Sequence, residues 1–158
     1  MTAPTWDEFR AALARELARL GDGVFVVLNV RARPWHYAQF HQGRSHLDAE
    51  VAGEASEDSD EMAETPAGRA LIESLGWAPP QPPDAPAWSK SLPWPLTGRE
   101  YRALVDAVVR VLREVNGVGG PAELEYRAWE GRQGNRPWAV DLPGVGRGES
   151  RYGSRSGR

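Results

Sequence analysis

The hydrophobic pattern opens with Trp6, Phe9, Leu13, Leu17 and Leu20, spaced three and four apart, the apolar stripe of a helix laid on a core. Thr5 and Glu8 flank its start as a capping box, the hydroxyl accepting from the third helical amide and the carboxylate reaching back. Gly21 ends the helix and Asp22-Gly23 turns the chain. Val24–Val30 then loses the helical period and is short, β-branched and almost wholly apolar, as in a strand buried on both faces. After a break at residues 31–34, the runs at 35–41 and 46–52 predict a second and a third strand. With Gly43-Arg44 as a two-residue hairpin loop, His41 faces His46, Gln39 faces Asp48 and Tyr37 faces Glu50. One face then carries Ala38, Phe40, Leu47, Ala49 and Val51 towards a core, and the other carries Trp35, Tyr37, Gln39, His41, His46, Asp48 and Glu50. A slip of one residue would exchange the two faces.

Further along, Pro66 begins a shorter helix that leads through Leu71 and Leu75 into Gly76-Trp77. Residues 77–95, WAPPQPPDAPAWSKSLPWP, hold three tryptophans among many prolines and read as a stiff strap lying across the core. Thr97 and Glu100 repeat the capping box and open the longest helix, striped by Tyr101, Leu104, Val105, Val108, Val111, Leu112 and Val115 and closed by Asn116-Gly117. Residues 124–129, LEYRAW, alternate as a final strand with Leu124, Tyr126 and Ala128 on one face. The expected architecture is α+β, an antiparallel sheet packed against helices in the order α-β-β-β-α-α-β, occupying residues 1–130. Residues 131–158 are rich in Gly, Arg and Ser and are expected to form a disordered basic tail.

Composition narrows the function classes. The 158 residues suffice for one core, and a net charge of −3 gives no whole-molecule attraction to nucleic acid or membrane. No cysteine is present, which excludes disulfides, thiol nucleophiles and thiolate metal sites and fits a cytoplasmic location. The N-terminus lacks the apolar core of a signal peptide, and no apolar run is long enough to span a bilayer.

The segments Trp6-Asp7-Glu8-Phe9, Tyr37-Ala38-Gln39-Phe40, Ala49-Glu50-Val51, Leu75-Gly76-Trp77, Leu92-Pro93-Trp94-Pro95 and Leu124-Glu125-Tyr126-Arg127-Ala128-Trp129, in that order, resemble the TY-Chap group. These are actinobacterial domains related to YbjN and to the Tir-type chaperones of type III secretion. The resemblance implies a Tir-chaperone/YbjN-like α+β fold, no enzymatic activity, no cofactor, and a role in binding a protein or peptide, in some relatives within conflict or signalling systems. A homodimer is open by analogy with secretion chaperones. The acidic stretch 54–64, with six carboxylates, and the basic tail depart from the group's pattern.

The face of Trp35, Tyr37, Gln39, Asp48 and Glu50, joined by Trp88, is the expected partner surface, with aromatic anchors for affinity and carboxylates to select basic segments. Trp6, Trp77, Trp94 and Trp129 are expected to pack in the core or strap. The alternative is a small-ligand or metal-binding sensory domain in which His41, His46 and Asp48 ligate zinc. No HExxH helix or cysteine spacing supports that site, and a solvated histidine pair is the plainer reading. Neither glycine cluster, at 117–120 or 144–148, follows a strand and opens a helix as a phosphate-binding loop must, and no GxSxG elbow occurs. The arginines of the tail could touch phosphates, but the acidic body argues against nucleic acid as the partner.

Overall fold

The computed structural model describes residues 3–52, 65–81, 87–132 and 134–148. The acidic stretch 54–64, the prolines at 82–86 and the end of the chain from 149 lie outside the described residues. Helix α1 (Trp6–Ala18) leads into strands β1 (Val24–Val30), β2 (Arg33–Gln42) and β3 (His46–Val51). Helix α2 (Pro66–Ser74), strand β4 (Trp88–Pro93) and helix α3 (Gly98–Arg110) follow, and then strands β5 (Leu124–Glu130), β6 (Arg136–Pro137) and β7 (Gly146–Arg147). The sheet order is β4-β3-β2-β1-β5-β6, antiparallel throughout, with β7 joining the outer edge of β5 in parallel.

Both long helices start at their expected caps, although at α1 only the Thr5 half of the expected capping box is formed. Thr5 Oγ1 accepts from the Glu8 amide at 3.1 Å, and Thr97 and Glu100 form a complete capping box. Phe9, Leu13 and Leu17 of α1 and Leu104, Val105 and Val108 of α3 meet Val26, Leu28, Ala38, Phe40, Leu47, Ala49 and Val51 in one core on one face of the sheet. α3 runs on into a wide π-type turn over Val111–Val115, closed by the Asn116 amide donating to Val111 O at 3.0 Å.

Asn116 is buried at the end of that turn. Its Nδ2 donates to Ala52 O at 3.4 Å, which leaves Oδ1 to accept from Nδ1 of buried His36 at 3.0 Å. Arg33 Nη2 donates to its backbone carbonyl at 2.8 Å. One side chain thus ties the end of α3 to β2 and to the end of β3.

Four expectations change. The strap contains a strand: β4 pairs along the whole of β3, from His46↔Pro93 to Val51↔Trp88, so the element order gains a strand between α2 and α3. Its prolines had argued against a strand, yet an edge position tolerates Pro93 at the last residue. The β2–β3 register is displaced by two residues: His41 faces Asp48 and Gln39 faces Glu50, because the turn lies at Arg44-Ser45, with the Gly43 amide donating to His46 O. A shift of two leaves each side chain on its expected face. At the other end of β2 the pairing slips between Asn29↔Tyr37 and Val30↔Arg33, so Pro34, Trp35 and His36 form a bulge.

The fourth change is in the stretch expected to be a disordered tail from 131 onward, where residues 134–148 are folded. The Trp138 amide donates to Ala128 O and the Gly148 amide to Tyr126 O, while Val140, Leu142 and Val145 join the core. Three apolar residues spaced among glycines and arginines were hidden in the average composition. They fold because they cover the open edge of β5.

Candidate functional site

The helices cover one face of the sheet; the candidate site is the other. Strand alternation sends Ser89 and Ser91 of β4, Asp48 and Glu50 of β3, Tyr37, Gln39 and His41 of β2, Phe25, Val27 and Asn29 of β1, and Glu125, Arg127 and Trp129 of β5 to this side. Cross-strand pairing aligns them in rows. One row runs Ser91, Asp48, His41, Phe25, Trp129, Pro137, from the β4 edge to the β6 edge. Its rings stack: Phe25 lies 4.2 Å from His41 and 5.3 Å from Trp129, with planes 22° and 13° apart. The next row is Ser89, Glu50, Gln39, Val27, Arg127.

Two adjoining hollows lie over these rows and share Phe25 and Gln39. One, of about 340 Å³, includes His41, Asp48, Glu50 and Ser91. The other, of about 290 Å³, includes Val27, Asn29, Pro34, Tyr37, Arg127 and Trp129. Together they make a trough crossing the strands, with half-buried rings at its centre and two carboxylates at the β3 end. Asp48 Oδ1 accepts from Ser91 Oγ at 2.6 Å, and Asn29 Nδ2 donates to Glu125 Oε1 at 2.9 Å. The Tyr37 hydroxyl is held above the usual phenol range, first by burial and then by repulsion from Glu50.

Of the expected partner residues, Tyr37, Gln39, Asp48 and Glu50 come together in the trough. Trp35 is half-buried in the β2 bulge, 6.0 Å from the His36 ring, and its neighbour Pro34 lines the trough in its stead. Trp88 is fully buried, with the Arg69 guanidinium 5.7 Å over its ring, so it is a core residue and not a surface anchor. The β4 alternation turns Trp88, Lys90 and Leu92 towards the helices, a direction invisible while this stretch was read as a strap. Conversely, Trp94, expected in the packed strap, is 46% exposed beside the β2–β3 turn, and Trp129, expected in the core, stacks on the outer face.

The sequence reading missed Phe25 and Arg127. β1 was read as buried on both sides, and the alternation of LEYRAW, which placed Leu124, Tyr126 and Ala128 together, already implied Arg127 and Trp129 opposite them. The zinc alternative loses its geometry: His41 is opposite Asp48 and stacked on Phe25, whereas His46 is opposite Pro93 and exposed, its Nδ1 2.9 Å from Ser45 Oγ. Among the described residues no three His, Asp or Glu side chains are gathered for a metal. Among the same residues no helix is long and apolar enough to cross a membrane.

Comparison with curated proteins and with solved structures finds no match. A family model does match, over residues 1–130, which carry α1 to β5 and most of the trough. The chain belongs to that family, TY-Chap3, described as T3SS (YopN, CesT) and YbjN peptide-binding chaperone 3.

Proposed function

We propose that the protein is a non-enzymatic, chaperone-like adaptor that holds an extended segment of a partner protein in the trough on its outer sheet face. The observation that carries this reading is the row of stacked, half-buried rings ending in carboxylates: Trp129, Phe25, His41 and then Asp48, with Glu50 beside it. Flat rings offer contact area at low entropic cost, and the carboxylates favour a basic residue in the bound segment. Membership of a peptide-binding family supports the same assignment. Partners in bacterial conflict or signalling systems, and a cytoplasmic setting, belong to this proposal through the TY-Chap resemblance.

Selection of random ten-residue peptides on the full-length protein tests it. The expected result is enrichment of peptides carrying Lys or Arg, with affinity reduced about tenfold or more, a loss of roughly 1.4 kcal/mol or more, in the folded Asp48→Asn/Glu50→Gln variant. Peptides whose affinity ignores both Asp48/Glu50 and Tyr37→Ala would place binding elsewhere and sink the assignment.

A further inference from the structure

The trough carboxylates have no counter-charge among the described residues. Asp48 accepts from the neutral Ser91 hydroxyl, and neither Asp48 nor Glu50 has an ion-pair partner there. Lys90, the one cation of β4, is turned to the other face, where it donates to Leu75 O at 2.6 Å. Arg127 stands in the same cross-strand row as Glu50, but Gln39 and Val27 lie between them, three strand spacings or about 14 Å. Arg127 likewise has no hydrogen-bond or ion-pair partner among the described residues. The trough is therefore ordered: a free guanidinium at β5, the rings of Trp129, Phe25 and His41, then two free carboxylates at β3.

The chain itself arrives at the β5 end of that order. β7 runs beside β5 in parallel, and the Gly148 amide donates to Tyr126 O at 2.7 Å. A Cβ on Gly148 would sit 3.2 Å from Arg127 Cγ and 3.4 Å from Glu125 Cδ, so this residue faces the outer side of the sheet. Straight ahead, the edge of β5 is taken by β6 at Trp129↔Pro137, and the helix side is filled by Val140, Leu142 and Val145. What stays open is a hollow of about 340 Å³, lined by Gly148, Pro137, Arg127 and Trp129, the last two of which also line the trough. The next ten residues, 149–158, read ESRYGSRSGR. Their order is Glu149, Arg151, Tyr152, Arg155, which complements guanidinium, rings and carboxylates. Arg155 follows Glu149 by six residues, about 20 Å when extended, enough to cover the 14 Å from Arg127 to Glu50 with slack at Gly153.

We propose that residues 149–158 dock in the trough as a tethered competitor of the partner segment, with Glu149 at Arg127, Tyr152 on the ring floor and Arg155 at Asp48 and Glu50. This docking rests on the peptide-binding reading above and adds its regulation. A tether this short holds the segment at roughly millimolar effective concentration, which a free peptide must overcome. With about nine chains in ten docked, the apparent Kd of a free peptide rises about tenfold. The segment lies beyond the residues that the family model matches, so the competition belongs to this chain's own extension.

The chain has no cysteine, so a nitroxide on Ser154→Cys is its single label. In the ¹⁵N-labelled full-length protein it is expected to broaden the Trp129 indole and Gln39 carboxamide signals, and much less so in the Asp48→Asn/Glu50→Gln background. Broadening spread evenly over the surface, or unchanged in that background, overturns the docking. Equal broadening when spin-labelled ¹⁴N chains are mixed with unlabelled ¹⁵N chains assigns the segment to a second copy and overturns the tethered form. Arg151→Ser/Arg155→Ser in the full-length chain is expected to tighten binding of the selected basic peptides about tenfold. Unchanged affinity overturns the competition and leaves the peptide-binding reading standing. Should no peptide be selected, the parent reading fails, and the nitroxide experiment decides the docking by itself.

Discussion

The imidazole of His41 lies flat on Phe25, 4.2 Å between ring centres, and the far side of Phe25 lies against Trp129 at 5.3 Å. Phe25 is thus the middle of a three-ring stack that floors the trough. Its removal breaks two ring contacts, each worth about 0.5–1.5 kcal/mol. Phe25→Ala is expected to lose about 2–3 kcal/mol of unfolding free energy in urea, and Phe25→Leu less, because the leucine keeps much of the apolar area. Both should abolish binding of selected peptides. A Phe25→Leu variant that binds as tightly as the wild type would show that the stack is structural only.

The Asn116 side chain is the polar joint between the π-type turn and β2. Asn116→Ala leaves His36 Nδ1 and the Ala52 carbonyl without this partner in a buried site, at a cost of about 1–3 kcal/mol. Replacing His36 with Phe in the same background should recover part of that loss, since both polar partners are then removed. The coupling is read from a double-mutant cycle in urea, and additive effects would mean that the joint contributes nothing beyond its separate parts.

Much of this was legible from side-chain period alone. The assignment of faces on β2 and β3 holds despite the displaced turn, because a strand repeats every two residues and the shift was two. The turn itself was not legible. Gly43 suggested a glycine-led loop, yet neither Arg44 nor Ser45 adopts positive φ, so the turn at Arg44-Ser45 needs no glycine. β4 was masked by the prolines around it. Residues 134–148 were masked by a composition that resembles disorder, although Val140, Leu142 and Val145 carry the apolar area that fixes them. The trough carboxylates Asp48 and Glu50 were visible in the sequence, while Phe25 and Arg127 on the neighbouring strands were not.

Lys90 is the single lysine of the chain, and its ammonium is partly buried over the Trp77 ring, donating to Leu75 O at 2.6 Å. Burial pushes its pKa below 10.5. Between that lowered value and 10.5 the unfolded chain holds more protons than the folded one, so this group's contribution to stability rises with pH across the window. The ¹³Cε signal of Lys90, unambiguous in a one-lysine protein, should titrate below the free-lysine value. Titration at or above 10.5 would mean that the side chain stands in solvent.

Leu142 offers the sharpest check on the folded extension. It is 5% exposed, and with Val140 and Val145 it closes the core beside β5. A leucine in a disordered tail could be cut to alanine with no effect on stability. Here Leu142→Ala is expected to cost about 2–4 kcal/mol, from lost burial plus the cavity left behind. The midpoint of urea unfolding should fall accordingly, and protease should cut the stretch after residue 134 faster than in the wild type. An unchanged midpoint would detach the extension from the core.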